Sequence, residues 1–496
     1  MLYNVTYGNL NNYKQNIFLI SLAYPAIQVN AKTKTKRKIF QEEQKMEKPE
    51  FDVLLPTFRD VCYPITDFGA VCDTRTNNQE AFRKAIEKCN ADGGGKVVVP
   101  SGVWYTGPIE LLSNVNLHLQ KGAIIFFSND PKDYPLINTS FEGLFMYRCI
   151  SPIYGKDLEN IAITGDGIIN GNGRRWRPVK KWKISEVSWK ETVAEGGIVD
   201  EGPKETIWWP SEITLEANNT LIPNPELYKD KETCEKYHDF LRPVLLNLTR
   251  CNKVLLDGPT FQNSPAWGIH PWLCTNLTIR NISVRNPWFA QNADGIDIDS
   301  CKYVEISNST FDVGDDAICI KSGKNEDGRK LGVPSEYISV RNCVVYHGHG
   351  GFVAGSEMSG GLKNIYVNDC TFIGTDIGLR FKSCLGRGGV VEKIYINNIN
   401  MISIHNEAIT FNMGYNMDTK EGQEVAPEEI PEFKNIYIDN INCTKAGNPI
   451  TVSGLPEMPI HDVHVSNFTC KTKGKIKIEN AENIFQTNIN LIEPEY

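Results

Sequence analysis

The sequence predicts an all-β protein: a single-stranded, right-handed parallel β-helix, a solenoid, with an N-terminal capping helix and a long tryptophan-rich insertion. Two repeats predict it. Four segments superimpose on a shared serine: Asp294-Gly295-Ile296-Asp297-Ile298-Asp299-Ser300, Asp316-Ala317-Ile318-Cys319-Ile320-Lys321-Ser322, Gly350-Gly351-Phe352-Val353-Ala354-Gly355-Ser356 and Ile377-Gly378-Leu379-Arg380-Phe381-Lys382-Ser383. The serine separations are 322−300 = 22, 356−322 = 34 and 383−356 = 27, inside the 20–50-residue window of solenoids. An aliphatic-X-Asn/Asp step also recurs at Asn281, Asn308, Asn342, Asp369, Asn398, Asn440 and Asn467, with spacings of 27, 34, 27, 29, 42 and 27. Each step follows an alternating run such as Tyr303-Val304-Glu305-Ile306-Ser307, the period of a strand with one buried face. Asn suits the bend, because it tolerates left-handed backbone and its amide reaches its counterpart one coil away. Parallel strands of adjacent coils lie ~4.8 Å apart, so equivalent positions stack. A β-sandwich or doubly wound fold fits less well, because no helical patterns of roughly 10–15 residues separate the strands after residue 95.

From the N-terminus, residues 17–27 form a short apolar run with Lys14 before it, and Val29-Asn30-Ala31 has the small-X-small pattern of a cleavage site. Residues 1–31 therefore read as a signal peptide, with a buried first strand as the alternative. Residues 32–60 read as a charged linker or N-terminal extension, and residues 61–496 as one β-helix domain. Residues 63–70 are expected as the first strand. Residues 78–89 form an amphipathic helix ended by Ala91-Asp92-Gly93-Gly94-Gly95, which would close the open end of the coil stack. Residues 97–102 and 115–125 continue the strands. From about 174 to 242 a different composition interrupts, with Trp176, Trp182, Trp189, Trp208 and Trp209 among many charges. This insertion either walls a pocket for a sugar acid or packs onto the barrel.

Composition narrows the function. The 496 residues are 41% hydrophobic and 23% charged, an ordinary folded chain, and a solenoid of this length is one domain. A net charge of −8 argues against a nucleic-acid partner, which calls for a basic face. Such a protein holds an acidic ligand only through local cations. Of the fourteen cysteines, Cys319, Cys343, Cys370, Cys443 and Cys470 sit in or beside strand repeats, as small buried thiols do, which favours free thiols over a disulfide framework. There is no CxxC metal pair, and no metal or cofactor is expected. No later segment has the ~20 apolar residues of a membrane span. The Asn-X-Ser/Thr triplets at Asn276, Asn281, Asn308 and Asn467 read as coil positions rather than glycosylation sites.

Stacking assigns chemistry. Asp294 and Asp316 share a column, Asp315 and His349 share the preceding one, and Arg380 and Lys382 lie on a following coil with their side chains on one face. Neighbouring carboxylates oppose each other's ionisation while cations favour it, so one residue type yields both an acid and a base. Hydrolysis of a glycosidic bond needs that pair.

At these residues the chain resembles glycoside hydrolase family 28, the polygalacturonase family, and within it the bacterial exo-acting members. The family's four signatures stand in order as Asn292-Ala293-Asp294-Gly295, Gly314-Asp315-Asp316, Gly348-His349-Gly350 and Arg380-Phe381-Lys382. The resemblance extends through Asn263-Ser264-Pro265-Ala266-Trp267 and covers most of residues 63–480. It implies a metal-free, inverting hydrolysis of α-1,4-galacturonosyl bonds in pectic polysaccharide or oligogalacturonides. Asp315 is then the general acid, Asp294 and Asp316 activate water, and His349 orients the acid. Arg380 and Lys382 hold the galacturonate carboxylate, and Asn292 contacts a sugar hydroxyl. An acid–base separation of about 6.5–9.5 Å follows from inversion.

Three positions depart from the family pattern: Ala293 for Thr, Phe381 for Ile and Gly314 for Gln. The insertion, as an added wall, implies chain-end cleavage, and the leader-like residues 1–31 imply a secreted or periplasmic enzyme. Three alternatives remain: a rhamnogalacturonan or xylogalacturonan hydrolase of the same family, a calcium-dependent β-helix lyase, and a non-enzymatic glycan-binding protein.

Overall fold

A computed structural model describes residues 51–415 and 425–494. The leader expected over 1–31 and most of the linker expected over 32–60 lie outside the described residues.

The period-2 runs fold as expected. Each coil lays its strands parallel to those of the next, and the coils form a right-handed parallel β-helix. One face is an eleven-stranded sheet that includes Ile296–Asp299, Ile318–Lys321, Gly350–Ala354 and Ile377–Lys382. Its register pairs Asp297 with Cys319, Cys319 with Val353 and Val353 with Arg380, so the serine offsets of 22, 34 and 27 are the coil lengths. Alternate residues point inward: Ile296, Ile298, Ile318, Ile320, Phe352, Leu379 and Phe381 are buried in one continuous core. Each such side chain contributes ~1.5–3 kcal/mol when fully buried. Phe381 stacks on Phe411 of the next coil, ring centroids 4.3 Å apart, which gives the larger side chain at this position a partner.

The bends also follow the sequence. All seven Asn/Asp landmarks have positive φ, between 49° and 56°. Their amides bond from coil to coil, as in Asn342 Nδ2 to Asn308 Oδ1 at 3.3 Å and Asn440 Nδ2 to Asn398 Oδ1 at 3.2 Å.

The helix at Gln79–Ala91 buries Phe82, Ala85, Ile86 and Cys89 against the first coil. Before it, the strand expected over 63–70 is confined to Cys62–Pro64. Pro64 has no N–H to extend the pairing, and Ile65–Phe68 tighten into a 3-10 turn ended by Gly69 at φ 93°. The described end of the expected linker lies against the coils. Leu54 N donates to Asn276 Oδ1 at 3.1 Å, and the Phe51 ring meets Tyr337 at 5.8 Å.

The chain leaves the solenoid after Ile168–Asn170 and returns at Leu246–Thr249. Between them stand a three-stranded antiparallel sheet and helices Glu186–Ala194, Glu212–Leu221 and Lys231–Lys236, so helices near the length not expected after residue 95 occur inside the insertion, and the seven-residue helix Asn325–Leu331 stands outside it. Ser185 and Ser211 cap the first two. Trp176, Trp189, Trp208 and Trp209 are buried. An antiparallel hairpin, Leu136–Phe141 with Leu144–Cys149, was not anticipated. All fourteen cysteines are free and twelve are buried. Among the described residues, no helix is long and apolar enough to cross a membrane.

Candidate active site

The eleven-stranded face gathers the expected residues. Asp294 and the Asp315-Asp316 pair stand just before successive strands of this sheet, and one oxygen from each of the three carboxylates lies within 4.8 Å of the others. The separation of 6.5–9.5 Å implied by the family resemblance is not what the structure has. The coil rise of ~4.8 Å sets the distance between residues stacked in one column, and Asp315 is bonded to Asp316 in the chain. Gly350 occupies the same column one coil on. A Cβ there would lie 2.4 Å from Val353 Cγ2, and also 3.2 Å from Asp316 Oδ1 and 3.4 Å from Arg380 Cδ, so a side chain would displace Val353 and crowd the Arg380–Asp316 pair. Gly314 has an equally local cause: a Cβ would lie 2.5 Å from the carbonyl oxygens of Pro287 and Ala290.

Asp316 and Asp315 have defined side-chain partners. Arg380 Nη1 donates to Asp316 Oδ1 at 3.0 Å, and Lys382 Nζ donates to Asp316 Oδ2 at 2.7 Å. The two cations expected to meet a substrate carboxylate thus meet Asp316 first. His349 Nδ1 lies 3.1 Å from Asp315 Oδ1 and its Nε2 3.8 Å from Asp376 Oδ2. Asn292 Oδ1 accepts from Arg242 Nη2 at 3.0 Å.

The carboxylates differ in charge state. Burial, reinforced by Asp297 and Asp315, pushes Asp294 well above the ordinary aspartate range. Burial would also raise Asp316, but Lys382 and Arg380 outweigh it and hold Asp316 below that range. Burial acts on Asp315 in the same sense, and the hydrogen bond from His349 overrides it, leaving Asp315 lowered. His349 is raised in turn: burial opposes its charge, and Asp315 more than offsets that. With no substrate bound, a proton shared by the trio therefore favours Asp294. Asp315 is the most open of the three, its side chain 23% exposed against 1% for Asp316.

The structure adds groups that the sequence did not single out. Lys183, at the tip of the insertion, places Nζ 3.4 Å from His349 Nε2, and burial lowers its pKa against the pull of Asp315. Trp182 beside it is 67% exposed. Tyr415 lies under both Arg380 and Lys382, 5.4 Å and 4.8 Å from its ring centroid. On the covered side of the sheet, Lys321 bonds Glu357 at 2.8 Å and sits 3.6 Å from Asp297. Lone lysines and tyrosines carry no spacing signal, which is why they were missed.

The sequence profile described as "Glycosyl hydrolases family 28" matches residues 180–488. The chain belongs to this family. It is therefore a glycoside hydrolase, and the four motifs all lie within the matched residues. Among solved structures, an exopolygalacturonase from Thermotoga maritima is similar, with 33% identity and a TM-score of 0.75, covering 92% of this chain and 96% of that one. An exopolygalacturonase from Yersinia enterocolitica shares the fold, with a TM-score of 0.63 at 22% identity, covering 87% of this chain and 76% of that one. Among curated relatives, a probable polygalacturonase of Vitis vinifera is 27% identical over 83% of this chain and 75% of its own length. The exo-poly-alpha-D-galacturonosidase of Dickeya chrysanthemi is 28% identical over 79% of this chain and 64% of its own length.

Proposed function

We propose that the enzyme hydrolyses α-1,4-galacturonosyl bonds of pectic chains from an end, releasing galacturonate. The observation that carries this reading is the uneven cover over the eleven-stranded face. On one side of the trio, outward-facing His270, Asp297 and Asp299 are fully buried beneath other parts of the chain. On the other side, Arg380, Lys382, Asn412, Tyr415 and Ser453 line an open cavity of about 220 Å³. Cover on one side of the reacting groups suits a chain end better than the interior of a polymer. The relatives named exo-acting point the same way.

In this reading Asp315 hands the cluster's proton to the leaving oxygen, because it is the carboxylate a glycosidic oxygen can reach. Asp294 and Asp316 activate water, and the trio titrates as one unit. His349 positions Asp315. Arg380 and Lys382 divide their charge between Asp316 and the galacturonate carboxylate, and Asn292 contacts a hydroxyl. Inversion is checked by proton NMR of the first anomer released. Retained configuration would put a covalent intermediate on one aspartate instead, as in the more closely spaced carboxylate pairs at ~5–5.5 Å.

Product analysis decides the mode. Polygalacturonate and defined oligogalacturonides are incubated with enzyme and with Asp315→Asn. Galacturonate alone from the first time point is expected. A ladder of oligomers would mean endo cleavage, and no product from either substrate would move the assignment to a branched pectin. Secretion or a periplasmic location belongs to the same proposal and rests on the leader-like residues 1–31; recovery of uncleaved chain only from the cytosol would overturn it.

A further inference from the structure

Beside Asn292, the hairpin and the insertion enclose a cavity of about 270 Å³. That is at the small end of ligand pockets, which run ~300–1,000 Å³, and it suits one sugar ring rather than a passing chain. Arg148 from the hairpin, Arg242 from the end of the insertion, Trp176 and Trp209 line it.

The donors on this wall outnumber their acceptors. Arg148 is 6% exposed, with its guanidinium 3.4 Å over the Phe141 ring. Its Nη1 has a contact to Met146 Sδ at 4.0 Å, a weak acceptor, and its Nε has no partner. A guanidinium carries five N–H donors, so most of this one's are unspent. Arg242 donates to the carbonyl oxygens of Pro265 and Gln291 and to Asn292 Oδ1, all neutral. Among the described residues, neither arginine has an ion pair. Glu142 on the same wall lies 3.9 Å from Lys324. The indole nitrogens of Trp176 and Trp209 and Nε2 of Gln291, all on residues lining this cavity, are buried without partners as well. Burial, then the charge of Arg242, pushes Arg148 down to about 9, and burial pushes Arg242 down to about 10. Glu142 opposes both shifts without forming an ion pair with either arginine, so the two buried cations share one carboxylate; that is costly to hold, and an anion between them lowers the cost.

We propose that this cavity binds the terminal hexuronate of the substrate, with its carboxylate held between Arg148 and Arg242 and its ring against the tryptophan wall. This rests on the galacturonide reading above and deepens it. The chain end is recognised by its charge, at a site separate from Arg380 and Lys382. A carboxylate matches the arginine fork, and aromatic faces suit a sugar ring. Asn292 joins the two sites, since it bonds Arg242 and stands two residues before Asp294.

The test compares trigalacturonate with trigalacturonates methyl-esterified at one terminal residue or the other, reading kcat/KM. The enzyme should prefer a free acid at the bound end by between about tenfold and a hundredfold. Arg148→Gln should bring that ratio near one, and Arg148→Lys should keep part of it. No preference in the unaltered enzyme, or an unchanged ratio in Arg148→Gln, overturns the proposal. Should Arg148→Gln fail to fold, tryptophan fluorescence of the unaltered enzyme decides. Galacturonate should shift the emission where methyl galacturonate does not, and Trp209→Phe should lose most of the shift; equal responses to the two sugars overturn it. If no galacturonide is hydrolysed at all, the proposed function fails, while the fluorescence arm still reads the cavity.

Discussion

The two halves of the eleven-stranded face use the same outward positions for opposite purposes. Asp297, Cys319, Val353, Arg380, Thr410 and Thr451 form one column along the stack. At Asp297 the column is sealed, and neither carboxylate oxygen has a hydrogen-bond partner. At Arg380 and Thr451 it borders a cavity. Covered positions carry polar and charged groups that contact one another: His270 with Asp299 at 3.4 Å, and Lys321 with Glu357. Beyond Arg380 and Lys382, the open side carries neutral polar residues such as Asn412 and Ser453 at the cavity. The solenoid provides a uniform scaffold, and the added cover decides what each position does. The trio stands at the boundary between the two halves.

Breaking that boundary should give the largest effect. Asp315→Asn is expected to lower turnover by about 10³-fold with binding kept, in line with the ~10²–10⁴ contributed by general acid catalysis. A near-normal single-turnover rate would remove Asp315 from its role. The pH profile sharpens the same point. Asp316 is held low, so the acid limb of activity should fall below the ordinary aspartate value of ~3.9. The alkaline limb follows loss of the proton that favours Asp294, which is raised, so activity persists upward from that value and then falls. Removing the positive partner of Asp315 by His349→Ala should move the alkaline limb up and cut turnover by about tenfold or more; an unmoved limb would show that His349 acts only in packing.

Next is the cover itself. Lys183→Met should lower kcat/KM by a factor of about ten through loss of a cation beside the His349–Asp315 pair, with a small shift in the pH profile. An unchanged kcat/KM would make the insertion a wall and nothing more.

Much of this was legible because a solenoid turns sequence spacing directly into contact. Once Ser300, Ser322, Ser356 and Ser383 are aligned, the columns of Asp294, Asp315, His349 and Arg380 follow without any long-range inference. The left-handed bends were legible where they carry Asn or Asp. A second set includes Tyr303, Tyr337 and Lys393, all with positive φ, and these were not legible, because Tyr and Lys give that conformation no compositional mark. The cover was the least legible part. Its helices are six to ten residues long, its sheet is local, and Lys183 and Arg148 reach their neighbours through tertiary folding that no repeat encodes. The carboxylate spacing was not legible for the converse reason: the family's inverting chemistry implies a wide gap, whereas the coil rise sets a narrow one.

The smallest expected effect probes the cost of the covered half. Burial, opposed by Lys321, raises Asp297 well above its ordinary value. Between the unfolded value of ~3.9 and that raised value, the folded chain holds a proton that the unfolded chain has lost. Stability contributed at Asp297 is therefore present below pH ~4 and is lost as pH rises through this window. Asp297→Asn has no such proton to lose. The variant's midpoint relative to the unaltered enzyme should rise by about 2 °C or more between pH 4 and pH 8, measured by differential scanning calorimetry. A Ser453→Ala control in the open half should show no pH-dependent difference. If the Asp297→Asn difference is flat as well, Lys321 satisfies Asp297 as an ion, and the covered half is no more strained than the open one.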